Sequence, residues 1–146
     1  MPQPPRPTNG LASLPLALLF AAALADAVGC DSRPRRVPIS GTVLIDGEPV
    51  PYGNISFVPG DGRAASGKID PQGRFELTCY EPGDGAILGE HRVTVAARQM
   101  KDGKLVWHAP KKYADFRTSG LTYTVTEPDD SVVIELTRDG EQGPSE

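Results

Sequence analysis

Residues 39–58 read ISGTVLIDGEPVPYGNISFV, and residues 69–79 read IDPQGRFELTC. In the first stretch Ile39, Gly41, Val43 and Ile45 alternate with Ser40, Thr42 and Leu44. A period of two belongs to a strand with one buried face, because successive side chains of a strand point to opposite sides. Asp46-Gly47 then supplies a pair of residues that tolerate positive φ, the strongest short hairpin signal. Asn54 to Val58 is a second β-rich run, stopped by Pro59-Gly60. In the second stretch Asp70-Pro71-Gln72-Gly73 is a turn, with Pro71 presetting φ and Gly73 free to take φ > 0. From Arg74 the alternation resumes and puts Phe75, Leu77 and Cys79 on one face.

The same pattern continues on both sides. Ala65 to Ile69 is a weaker strand, Gly89 to Ala97 a long one with Val93, Val95 and Ala97 inward, and 121–125 and 132–136 complete the set. Gly and Pro together are 31 of the 146 residues (16 and 15), a density of breakers that excludes long helices. Short strands with turns every 8–12 residues or so predict an all-β sandwich of seven strands. Its core is expected to hold Val43, Phe57, Phe75, Leu77, Val93, Val95, Ile134 and Leu136. The net charge of −4 gives no basic footprint for nucleic acid, and two Cys with two His are too few for a zinc cluster.

Gly41-Thr42-Val43, Asp46-Gly47-Glu48-Pro49-Val50, Ile55-Ser56-Phe57-Val58-Pro59 and Asp70-Pro71-Gln72-Gly73-Arg74-Phe75 together resemble the carboxypeptidase regulatory-like domain. The resemblance covers about residues 38 to 97 and implies a transthyretin-like, seven-stranded Greek-key sandwich. Lys112-Tyr113-Ala114-Asp115 and Thr118 to Thr122 are similar to a narrower group, small secreted lipoproteins of planctomycete-type bacteria that mostly have no assigned function. The fold's enzymatic relative, the 5-hydroxyisourate hydrolase, carries a C-terminal Tyr-Arg-Gly-Ser and an early catalytic His. Here the last residues are Gly143-Pro144-Ser145-Glu146 and the first His is His91, so the hydrolase reading fails. The zinc-binding His and Glu set of a metallocarboxypeptidase is not found either.

Toward the N-terminus, residues 11–25 read LASLPLALLFAAALA. This run falls short of the roughly 20 apolar residues a spanning helix needs and suits a signal-peptide core. Its n-region is weak, with Arg6 and the α-amino group as the positive charges. Ala27-Val28-Gly29-Cys30 resembles the bacterial lipobox, although Ala27 replaces the usual Leu and Asp26 is close. The resemblance implies that the Cys30 sulfur forms a thioether with diacylglycerol and that the chain is cut before Cys30. Plain secretion with a spare thiol and an uncleaved anchor are the alternatives. The expected organisation is a signal peptide with lipobox at 1–29, a tether at 30–37, the sandwich at 38–138 and a flexible tail at 139–146. Arg33, Arg35 and Arg36 of the tether read as solvated linker, with contact to anionic headgroups as the alternative.

Chemistry-bearing residues are sparse. His91 and His108 read as two unrelated surface imidazoles rather than metal ligands. Cys79 reads as a small buried hydrophobe. The acidic turns lack carboxylates at alternate positions, so no calcium loop is expected. The segment from Arg98 to Gly120 reads as a long irregular loop. It holds Trp107, Tyr113 and Phe116 together with Lys101, Lys104, Lys111 and Lys112. The three aromatics are candidate ligand contacts, with closure of the sandwich end as the alternative. The expectation is a non-catalytic binding or structural module, lipid-anchored through Cys30 in the cell envelope and engaging an envelope protein. A carbohydrate-binding accessory module is the alternative, and neither cofactor, metal nor nucleic acid is expected.

Overall fold

The computed structural model describes residues 1–5 and 32–138. The expected apolar signal-peptide core, the expected lipidation at Cys30 and the expected tail from residue 139 lie outside the described residues. The chain divides into Met1–Arg33 and a folded unit from Pro34 onward. Among the described residues no helix is long and apolar enough to cross a membrane.

The folded unit is all-β. Its strands are β1 (Arg36–Val37), β2 (Ile39–Ile45), β3 (Glu48–Pro49), β4 (Gly53–Pro59), β5 (Ala65–Ile69) and β6 (Arg74–Glu76), followed by β7 (Ala86–Ile87), β8 (Gly89–Ala96), β9 (Arg98–Lys101), β10 (Lys104–Trp107), β11 (Leu121–Val125) and β12 (Asp129–Leu136). One antiparallel sheet runs β11–β8–β4–β5. In the other, β12 lies parallel to β2, and β3 and β6 pair antiparallel with the remaining edge of β2. Their apolar sides form one core, in which the Phe57 ring of β4 sits 6.3 Å from that of Phe75 on β6. Every core residue expected from the alternation is buried. Reciprocal hydrogen bonds between Ser66 and Thr78, both 2.9 Å, stitch the sheets together along the β5–β6 side.

The turns follow from residue chemistry. Asp46 and Gly47 both have positive φ, 49° and 83°. Gly73 has φ +79°, and an added Cβ there would meet the Val43 carbonyl oxygen at 2.8 Å, so no other residue fits this approach. Asp70 Oδ1 accepts from the Gln72 and Arg74 amides at 2.9 Å, which fixes the turn before Phe75.

Three expectations change. The tether expected at 30–37 is shorter, since Arg36 and Val37 form β1 and pair with β7, and the body begins before residue 38. The cause is local: Val37 is buried, and Arg36 is held by Asp84. Residues 98–107, expected as irregular loop, form a β9–β10 hairpin whose turn residues Asp102 and Gly103 have φ 51° and 74°. His91, expected at the surface, is 1% exposed.

Candidate binding surface

Strand β8 gives the molecule two ends. At its start, next to β7, lies the β1 clamp. Asp84 there accepts hydrogen bonds from the amides of Cys79 (2.7 Å), Tyr80 (3.1 Å) and Glu81 (3.1 Å) and from Arg36 Nε (2.5 Å). Burial raises the Asp84 carboxyl, but the amides and Arg36 outweigh it and hold the group below the usual carboxylate range. At the far end of β8 the chain passes directly into β9. Eight residues of strand separate the two ends by about 25 Å.

The β9–β10 hairpin pairs Arg98 with Trp107 and Met100 with Leu105 on one face. Gln99 with Val106 and Lys101 with Lys104 form the other. Both faces are open: Met100 is 67% exposed, Leu105 49% and Val106 38%. The half-buried Trp107 ring carries Arg98 at 5.5 Å and Lys111 at 6.0 Å from its centroid. Such an arm combines apolar contact area with cations, a composition suited to binding a surface.

Tyr113 belongs to the core. It sits on a 3-10 turn, Lys111–Ala114, and is 5% exposed. Its hydroxyl accepts from the Thr137 amide at 3.1 Å. Burial raises its ionisation, but the Thr137 contacts and Lys112 outweigh this and lower it. Phe116, 39% exposed, lies between Arg92 and Arg117, whose guanidinium carbons are 5.6 and 5.3 Å from the ring centroid. Of the three sequence-predicted aromatics, Trp107 and Phe116 therefore reach the outside and Tyr113 closes the sandwich.

His91 and His108 are not brought together. His108 donates its amide to the Ala97 carbonyl, six strand residues from His91, which separates their backbones by about 20 Å. His91 Nε2 lies 2.7 Å from the Ile87 carbonyl oxygen, and Nδ1 is buried without a partner among the described residues. His108 stacks edge-on against Tyr52 at 5.7 Å. Burial, then the charge of Arg138, keeps its imidazole below the usual value, with Glu48 opposing. Beside it Pro51, Tyr52, Ile69 and Pro71 line an open groove of about 410 Å³. Among the described residues no three His, Cys, Asp or Glu side chains converge as metal ligands.

Sequence reasoning missed Met100, Leu105, Arg92 and Arg117. Register would have found Arg92, which alternates outward between buried His91 and Val93. Compared with known proteins, the chain matches no family model, no curated protein and no solved structure.

Proposed function

We propose that this chain is an extracytoplasmic lipoprotein, anchored through Cys30, that works as a non-catalytic module docking a partner protein in the cell envelope. The fold behind it is the Greek-key sandwich of the carboxypeptidase regulatory-like type, made by β2, β4, β5, β6, β8, β11 and β12. Support for that fold comes from the strand-to-strand path, which changes sheet between β2 and β4, between β5 and β6, between β6 and β8, and between β11 and β12. The motif glycines add to it: at Gly41 an added Cβ would overlap the Val132 carbonyl, so the parallel β2–β12 pairing requires glycine there.

One observation carries the functional reading. The clamp and the exposed hairpin lie at opposite ends of β8, and only residues 31–35 separate Cys30 from the clamp. A chain lipidated at Cys30 is thereby held at the β1 end and offers the hairpin at the other. Arg98, Lys101 and Lys104 favour a partner whose surface is acidic around an apolar centre.

The test is crosslinking in native envelope. Wild type should capture a discrete partner protein, and a Met100→Asp/Leu105→Asp variant should lose it with an unchanged melting temperature. Cys30→Ser should leave the membrane fraction and lose fatty-acid label. Equal capture by wild type and the hairpin variant would remove the hairpin from the reading, and a wild type without label would remove the anchor.

A further inference from the structure

The outer face of the β11–β8–β4–β5 sheet is mixed: beside its hydroxyls it carries Asn54, Val58, Lys68, Glu90, Arg92 and Ala96, and Ser56, Val58 and Thr94 at its centre are half-buried. Because Ile55, Phe57, Val93 and Val95 point inward, Ser56 and Thr94 point out. Ser66, Ser56 and Thr94 stand in one cross-strand row. The neighbouring row runs Val58, Arg92, Thr122. None of these hydroxyls hydrogen-bonds a described residue. Each can both donate and accept, and the strands space them about 4.8 Å apart across the sheet.

At the β11 edge this face meets a groove of about 450 Å³ lined by Arg92, Phe116, Arg117, Leu121 and Thr122. Both guanidiniums lie over the Phe116 ring, and neither makes an ion pair with a described residue. Two guanidiniums with unpaired donors lining one groove match an anionic oxygen group. The groove is also held in shape. Arg92 is on a paired central strand, while the Arg117 amide donates to Asp115 Oδ1 at 2.8 Å and Thr118 Oγ1 to the Lys112 carbonyl at 2.7 Å.

We infer that the Arg92–Phe116–Arg117 groove and the hydroxyl-lined sheet face beside it form a binding site for an acidic polysaccharide. A sugar carboxylate sits in the groove that Arg92 and Arg117 line, and adjacent sugar hydroxyls lie along the Thr122, Thr94 and Ser56 side. The Ser66, Ser56 and Thr94 row offers hydroxyl partners to a polyhydroxylated chain, and this is the feature that favours such a chain over an acidic peptide. This site goes beyond the hairpin reading and shares no residue with it.

The probe is an oligogalacturonate, titrated calorimetrically against the full chain in neutral detergent. A neutral oligosaccharide, polyglutamate and phosphatidylglycerol vesicles serve as the other arms. Oligogalacturonate should bind, more weakly as salt rises, and Arg92→Ala and Arg117→Ala should each weaken it about tenfold or more. Arg92→Lys, which keeps charge but not the two-pronged donor, should fall between. Each variant should melt with wild type, since both arginines are exposed. Thr94→Val should weaken the oligogalacturonate complex and leave polyglutamate unaffected. The proposal is overturned if oligogalacturonate does not bind, if the arginine variants bind it as wild type does, or if polyglutamate or the vesicles match it.

Discussion

Phe75 shows how one side chain ties the two sheets. It is 4% exposed, carried on a strand of three residues, and its main aromatic neighbour belongs to the opposite sheet. Removing the ring leaves a cavity that short, stitched strands are poorly able to close. Phe75→Ala should therefore cost about 3–5 kcal/mol, a large share of the roughly 5–15 kcal/mol of a domain this size. Urea unfolding measures it, and a loss under about 1 kcal/mol would mean that the core relaxes freely around this site. Cys79 is a second case. Its thiol is 3% exposed, and burial, then the Asp84 charge, pushes its ionisation up. In a Cys30→Ser background a thiol reagent should label Cys79 only as the fold opens, so its labelling rate should track the unfolded fraction. Rapid labelling of the native chain would contradict the burial.

A two-residue strand such as β1 cannot hold itself, and at the scale of elements Asp84 holds it. Asp84→Asn removes the charged partner of Arg36 and of three amides, at a cost of about 1.5–3 kcal/mol concentrated at the clamp. Trypsin should then cut at Arg35 and Arg36 faster than in wild type while the core melts with little change. The carboxyl is held below its ordinary value, so the clamp's contribution is present above about pH 4 and is lost as pH falls through the lower folded value. The clamp was illegible in the sequence because Glu81-Pro82-Gly83-Asp84-Gly85 reads as a generic turn and its partner Arg36 is 48 residues away. Strand runs, by contrast, were legible, since alternation is a local signal. His91 was legible too: it shares parity with Val93 and Val95, and its polarity masked that register. The β9–β10 hairpin had its turn signal in Asp102-Gly103. Its flanks lack alternation because both faces are open, so periodicity had nothing to report there. An arm without a buried side carries no burial pattern, so its sequence resembles that of a loop.

The sandwich as a whole is stitched on one side and open on the other, where β11 and β12 face each other without a described ladder between them. Two tyrosines clasp this seam. Tyr113 bonds Thr137 at the hairpin end, and Tyr123 donates to Asp129 Oδ2 at 2.7 Å at the clamp end. Burial, reinforced by that hydrogen bond and by the charges of Asp129 and Glu127, pushes Tyr123 up to about 12. The folded chain thus keeps this proton while the unfolded chain gives it up near the ordinary value of 10.0. Stability from the clasp is complete below pH 10 or so and is lost as pH climbs toward 12. Tyr113 acts with the opposite sign, since its lowered ionisation adds stability as pH rises through its folded value. Comparing wild type with Tyr123→Phe isolates the first effect. At neutral pH the variant should lose only about 0.5–1.5 kcal/mol, because the Asp129 carboxylate is only half-buried and keeps its bonds to the Ser131 amide and hydroxyl. Between pH 10 and 12 its stability should fall less steeply than that of wild type, so the two denaturation curves converge. Parallel curves across that interval would show that the Tyr123–Asp129 bond does not hold the seam.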